Sequence, residues 1–367
     1  MIMLVNFFPS LTLTYYLARL FIVRILAVLF MLVLVLMMLD LLSTSGKILA
    51  VEGNGQPELV TYVSLRVPQL IARFLPYSVL LATIITLVAL NQNSEVISMK
   101  AAGLSAHQVL APLLVTAALV SVISFAFNER VVTRATSTLN AWNAAEYGEI
   151  PSSTGTRANV YLSDEEGVLL ASKLTGKGKE ISMQDVTWYQ RTENGMILAQ
   201  FRAETATYQS PGWQLEGAIK FDIGTAQVAE PRNVTVASGL SPEQIELDTV
   251  DPDSMPFWEL SESIKAYEAV GRTTDELRAK WWHKISAPLS ALLMPLLGSI
   301  AAFGLARSGQ LFLRAIIGMA LGFTYFVIEN ASLAMGNFGS YPPFLAAWGP
   351  FFLFFLVGET LLIRTEE

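Results

Sequence analysis

Arg73 stands a turn or two inside an apolar run, and Glu329 stands near the end of another, "TYFVIENASL". An ionisable side chain in such a place is costly unless it faces a cavity, a partner or an opposite charge. The two residues can therefore hold a charged ligand, or form a proton- or ion-linked pair with each other. Asp40, in "LMMLDLL", poses the same question. Further cations flank the apolar runs: Lys47, Arg66, Arg278, Lys280 and Lys284. Arginine and lysine bind phosphate strongly where water is scarce. For Lys280 and Lys284, beside Trp281 and Trp282, ordinary interfacial anchoring competes with that role.

Other chemistries lack their residues. The chain has no Cys, so disulfides and thiolate metal sites are out, and His107 and His283 are too few for a histidine metal cluster. No Gly-x4-Gly-Lys-Ser/Thr is present: Gly46-Lys47 runs into Ile48 and Gly178-Lys179 into Glu180, so ATP is not bound by that route. Neither His-Glu-x-x-His nor Gly-x-Gly-Asp occurs, which leaves an intramembrane protease without its catalytic set. A net charge of −7 without a basic run argues against nucleic acid.

The elements that position these residues are set by composition. The chain is 53 % hydrophobic and 15 % charged, outside the range of an ordinary soluble enzyme. Six apolar stretches approach the roughly 20 residues that cross a bilayer. They are Leu20–Leu42, Phe74–Leu90, His107–Phe127, Ile285–Leu305, Phe312–Ile328 and Phe344–Ile363. The first is too long, and lacks the cleavage site, for a signal peptide. Met31, Met37, Met38, Phe351, Phe352, Phe354 and Phe355 are expected to face lipid or pack between helices.

From about residue 131 to 255 the pattern changes to alternation with period two, as in "RANVYL", "GVLLASKL", "KEISMQDVTWYQR", "MILAQFRAETATYQ" and "WQLEGAIKFDI". Turn signals at residues 164–167, 176–178, 193–195 and 210–212 separate the runs. Short strands so spaced predict a β-sandwich or jelly roll, with Val160, Leu162, Leu169, Ile181, Val186, Phe201, Leu215 and Phe221 on its inner face. Residues 255–284 read as helical, with Thr273-Thr274 as a cap. The fold class is a polytopic α-helical membrane protein with an inserted β domain: 1–130, then 131–255, then 256–367. Short-loop cations Arg19, Arg24, Lys100, Arg307, Arg314 and Arg364 place both termini in the cytoplasm and the β domain on the far side.

One polar island, "NQNSEVISMKAAGLSAHQV", interrupts the greasy first third. Residues 93–104 predict a short helix, capped by Asn93 or Ser94 and closed by Gly103, with Glu95 at its positive end. It either merely joins two spans or seats in a groove of a soluble partner. The longer stretch "NQNSEVISMKAAGLSAHQVLAPL" resembles the coupling-helix region of the LptF/LptG permease family, the membrane subunits of a lipopolysaccharide exporter. "PQLIARFLPYSVLLATIITLVAL", with Pro68 and Pro76, resembles that family's second span, and "PPFLAAWGPFFLFF" the entry to its sixth. "LMMLDLL" is closer to the G-like of its two subunit types.

The resemblance implies a Gram-negative inner-membrane permease that passes lipopolysaccharide to a periplasmic bridge and has no cofactor of its own. ATP and Mg would be bound by a partner ATPase dimer, contacted through Glu95, Ser98, Met99, Ala102 and Gly103. The other partners would be a homologous second permease, in an F/G heterodimer, and a membrane-anchored jelly-roll protein of the bridge. Lipid A phosphates would meet Lys47, Arg66, Arg73, Lys280 and Lys284, and acyl chains would slide along the inner face of an open jelly roll. Alternatives are an ion-coupled secondary transporter and a lipoprotein-releasing type of permease. The former lacks evident inverted repeats; the latter is expected to carry its large domain after the first span.

Overall fold

The computed structural model describes residues 9–148, 157–163, 166–176, 181–192, 196–225, 227–242, 251–269, 271–299 and 311–364. Helices α1 (Leu11–Leu49), α2 (Gln56–Gln92), α3 (Glu95–Ala101) and α4 (Ala106–Phe127) come first. A π-helical turn, Asn128–Val132, joins α4 to α5 (Thr133–Ala144). After the strands come α6 (Phe257–Ala269), α7 (Asp275–Gly298), α8 (Leu311–Asn337) and α9 (Pro343–Arg364).

Among the described residues, five helices are long and apolar enough to cross a membrane: Leu11–Leu49, Gln56–Gln92, Ala106–Ala144, Ala315–Asn337 and Pro343–Arg364. They contain four of the six expected stretches and most of a fifth, Phe312–Ile328, which lies wholly within α8. The sixth, Ile285–Leu305, begins within α7, and 300–305 and Arg307 lie outside the described residues, as do residues 164–165, 177–180 and 193–195 of the expected turns. At 1.5 Å per residue, α1 is about 58 Å long against a hydrocarbon core of about 30 Å. Hydropathy thus marks only the middle of α1. The chain divides into two compact units. One holds Met1–Leu41, Arg66–Thr133 and Met255–Glu367; the other holds Leu42–Leu65 and Arg134–Ser254. The helical ends at 42–65 belong with the strands, which the sequence did not indicate.

In the first unit, α1 buries a stripe at four-residue steps, Leu17, Phe21, Ile25, Leu29, Val33 and Met37, and exposes Phe30, Met31 and Met38. Four-residue spacing gives one ridge on a helix, the pattern of an element with protein on one side and lipid on the other. Small residues bring other helices close. A Cβ at Gly298 would lie 2.7 Å from a Thr83 methyl, and one at Gly322 would collide with Leu80. Helical hydroxyls satisfy themselves on the preceding turn, Thr83 on Val79 at 2.7 Å, Thr86 on Ala82 at 2.6 Å and Thr116 on Pro112 at 2.7 Å.

The second unit carries one antiparallel sheet. Its strands are β1 (Arg157–Ser163), β2 (Gly167–Thr175), β3 (Ser182–Arg191), β4 (Ile197–Gln209), β5 (Gly212–Asp222), β6 (Gln227–Val228) and β7 (Arg232–Val236). Strands β1 to β6 follow one another as a meander, and β7 also pairs with β5. One apolar cluster includes Val160, Leu162, Leu169, Ile181, Val186, Trp188, Phe201, Trp213 and Leu215.

A crease runs across this sheet. Buried positions alternate along each strand and then skip one: Ala171 to Leu174, Met183 to Val186, Ala203 to Ala206, Leu215 to Ala218. The registers align these skips, since Ala171 faces Val186 and Val186 faces Ala203, while Leu174 faces Met183, Met183 faces Ala206 and Ala206 faces Leu215. Positive φ at Asp185 (48°) and Gly217 (61°) supports the turn-over. On the exposed side Ser172 donates to Asp185 at 2.9 Å, Arg202 donates to it at 3.2 Å, and Thr205 donates to Glu216 at 3.0 Å. The Ser172 hydroxyl and then Arg202 hold the Asp185 carboxyl below the usual carboxylate range.

The crease corrects one expectation. Strict alternation from Trp213 and Leu215 puts Phe221 inside, but the skip at Glu216–Gly217 reverses the faces beyond it. Phe221 is 38 % exposed. One skipped residue moves every later side chain to the other face. Accordingly, Phe201→Ala should destabilise the sheet by about 3–5 kcal/mol and Phe221→Ala by less than about 1 kcal/mol. Denaturant unfolding of the two variants, followed by the fluorescence of the sheet, checks the difference. Equal losses would mean that the faces do not reverse.

Candidate functional site

Three helices of the first unit turn polar faces toward one another at helical spacing. Helix α2 presents Arg73, Pro76 and Tyr77; α7 presents His283, Ala287 and Ser290; α8 presents Phe326, Glu329 and Asn330. With Ser124 and Asn128 at the end of α4, they line a cavity of about 180 Å³. Steps of three, four and seven residues keep such sets on one face. Pro76 has no N–H, so the Ala72 carbonyl one turn earlier loses its helical donor, and Ala72 also lines the space.

Glu329 is held firmly. It is 6 % exposed; Tyr325 donates its hydroxyl to Oε1 at 2.9 Å, and His283 Nε2 lies 3.7 Å from the same oxygen. Tyr77 stacks on Phe326 with ring centroids 3.7 Å apart, fixing one wall. Arg73 shares the cavity, but among the described residues it makes no ion pair; its guanidinium lies 6.0 Å from the Phe74 ring. The intramembrane acid and cation thus meet one space without meeting each other. His283 had no legible role in the sequence, since only the packing of α7 on α8 brings it to Glu329.

The other cations have different surroundings. Arg66 forms a fork on Asp40, with Nε 3.2 Å from Oδ2 and Nη2 3.1 Å from Oδ1, and its Nη1 donates to Gln69 at 2.7 Å. This answers the question posed by Asp40, and it leaves Arg66 engaged by protein. Arg278 pairs with Glu268, its Nε donating to Oε1 at 3.0 Å. Lys47 is exposed, Lys280 is half-buried, and Lys284 is buried at 8 %. His107 lies 3.3 Å from Glu359, tying α4 to α9.

The polar island is the helix α3, with Glu95 in its first turn and Lys100 in its last. Gly103, at φ +89°, closes it, and Leu104 N–H reaches back to the Met99 carbonyl at 3.1 Å. The expected side-chain cap is not made: Ser94 takes a left-handed conformation, φ 61°, and its hydroxyl does not cap. Val96 and Met99 are buried at 4 % and 8 %, while Ser98, Ala102 and Gly103 are exposed. Met99 is therefore corrected from the outward contact set to the inward anchor, because it shares a face with Val96 at three-residue spacing. Ile97, exposed at 50 %, joins the outward side. Glu95 accepts from Tyr16 of α1 at 3.1 Å and from Asn93 at 3.4 Å.

The fork between Arg66 and Asp40 makes a prediction. Arg66→Ala and Asp40→Ala should each destabilise the protein, and the double variant should lose about 1 kcal/mol less than the sum, the coupling of a partly exposed bidentate pair. Thermal unfolding of the four proteins in detergent reads this; simple additivity would deny the pair any energetic role.

The family model described as "Lipopolysaccharide export system permease LptF/LptG" matches residues 15–364. The lipopolysaccharide export system permease protein LptG of Escherichia coli K12 is 26 % identical over 338 residues, covering 88 % of this chain and 92 % of that protein. The LptG of Haemophilus influenzae is 22 % identical over 333 residues, covering 86 % and 89 %. The match takes in the polar island, the helices that line the cavity and the sheet alike, so this chain belongs to the LptF/LptG family of permeases.

Proposed function

We propose that this chain is the G-type permease subunit of an exporter that extracts lipopolysaccharide from the outer leaflet of the Gram-negative inner membrane. The family match over residues 15–364, unbroken from the first apolar helix to the last, carries the reading. The chain crosses the membrane six times, α7 supplying the fourth crossing. Both termini and α3 lie in the cytoplasm; the sheet lies in the periplasm as a jelly roll whose inner face, Val160, Leu162, Leu169, Phe201 and Leu215, takes acyl chains. A homologous F-type subunit, a cytoplasmic ATPase dimer and a membrane-anchored periplasmic bridge complete the machine. The chain performs no hydrolysis itself, and ATP and Mg sit in the ATPase.

The outward residues Glu95, Ser98, Ala102 and Gly103, with Ile97, form the contact with the ATPase. In the first unit Arg73, Lys280 and Lys284 are cations that meet lipid A phosphates, and Lys47 is a further such cation of the second unit; Arg66 is held by its fork on Asp40. Ion-coupled secondary transport is the second reading, because Glu329 with Tyr325 and His283 is the kind of buried acid that proton-linked carriers use. Co-expression and purification separate the two: a soluble ATPase and a second six-span chain should co-purify, and release of lipopolysaccharide from proteoliposomes should require ATP. Release driven by a proton gradient without ATP would overturn the exporter.

Two variants test the assigned surfaces. Glu95→Ala should insert and fold, since a first-turn acid contributes only about 0.3–1 kcal/mol, yet lose ATPase association or transport-coupled hydrolysis. Full coupling in that variant would remove Glu95 from the contact. Arg73→Glu should weaken lipopolysaccharide binding in detergent while the complex stays assembled; unchanged binding would remove Arg73 from the substrate surface.

A further inference from the structure

We infer that the cavity shared by α2, α4, α7 and α8 is a subsite for a zwitterionic phospho-amine head group, its phosphate on Arg73 and its ammonium on Glu329. This rests on Arg73 being a head-group cation and adds a second recognised charge to it. Both residues line the same space of about 180 Å³. One water needs about 10–15 Å³ on such a measure, so the space is large enough for a compact head group.

A buried carboxylate and an intramembrane guanidinium each demand a compensating partner. Among the described residues these two make no ion pair with each other. Glu329 has one neutral donor, Tyr325, at 2.9 Å, and an imidazole at 3.7 Å. A lone phosphate entering the space is attracted by Arg73 and repelled by Glu329; a lone amine meets the reverse. Only a ligand carrying both charges, separated by a short linker, lowers the energy at both ends. The flat wall of Tyr77 on Phe326 favours the cationic end, because aromatic rings attract ammonium groups, and Asn330 offers further hydrogen bonding. Phosphoethanolamine is the simplest head group of this class. It has two sources, a lipopolysaccharide whose phosphates bear ethanolamine or another amine, and bulk phosphatidylethanolamine.

The test uses the full chain in its complex, in nanodiscs of equal phosphatidylethanolamine and phosphatidylglycerol, with retained lipid counted by native mass spectrometry. The wild type should retain phosphatidylethanolamine about tenfold over phosphatidylglycerol, the loss of one charge-assisted contact. Glu329→Gln, which keeps an acceptor for Tyr325, should erase that preference and, by removing the repulsion between carboxylate and phosphate, strengthen the binding of phosphate-only lipopolysaccharide. Arg73→Gln should lower retention of both lipids. Equal retention of the two lipids by the wild type, or a preference that survives Glu329→Gln, would overturn the inference. Unchanged binding of phosphate-only lipopolysaccharide in Arg73→Gln would instead sink the underlying head-group role of Arg73. Adding lipopolysaccharide with and without phosphoethanolamine assigns the source. Displacement of the lipid by the modified form alone makes the substrate the ligand; displacement by neither makes it the bulk lipid.

Discussion

Hydrocarbon offers a polar group nothing to bond to, and that single constraint shapes the membrane unit. It explains why Thr83, Thr86 and Thr116 spend their hydroxyls on the carbonyl a turn earlier. It also explains why three acids in or near the apolar helices have specific partners. Asp40 takes the fork of Arg66, Glu359 takes His107, and Glu329 takes Tyr325 with His283 at its flank. Each pairing joins two helices, except the Tyr325 bond, which stays on α8. Polar satisfaction and helix packing are therefore one problem here: moving one helix past another unpairs a charge. Arg73 stands apart: it lines the same cavity as Glu329, yet among the described residues it makes no ion pair.

The same constraint is relaxed in the second unit, where water can satisfy the outer face of the sheet. There the design question is curvature. Four strands reverse their buried side along one row, with Asp185 and Gly217 in left-handed backbone and an exposed row of hydrogen bonds from Ser172, Arg202 and Thr205. Pairing is kept across the reversal, since β3 and β4 hold one register on either side of it. The sheet bends as a whole, and no strand separates from its neighbour. Apolar side chains on either side of the crease still join one cluster, from Val160 and Leu162 to Trp213 and Leu240.

Sequence pattern reached the elements and stopped short of their faces. The five strand-like runs coincide with β1 to β5 because period-two alternation is strong in each, and "SEVISMKAAG" was legible as a helix from its polar ends. What was lost depended on local exceptions to period. Phe221 was misplaced because nothing in "LEGAIKF" distinguishes a glycine that interrupts alternation from one that merely sits in it. Met99 was misplaced because a seven-residue helix has too few turns for its apolar side to declare itself. The cavity was half legible. Arg73 and Glu329 stood out by their cost in lipid, whereas His283 and Tyr77 are ordinary residues until α2, α7 and α8 are packed.

Helix α3 draws these threads together at the other end of the spans. Its inward residues, Val96 and Met99, are anchored by burial, and its outward side carries the small residues Ser98, Ala102 and Gly103 with one large apolar side chain, Ile97. A surface of small side chains lets another backbone approach closely, and close approach makes position easier to transmit than a loose contact does. Glu95 sits between the two faces. It compensates the helix dipole, and it also accepts the Tyr16 hydroxyl of α1 at 3.1 Å. A displacement of α3 has to stretch that bond or carry Tyr16 with it. The short polar island is therefore more than a connection between two spans: it is tied by a side-chain hydrogen bond to a third helix, α1.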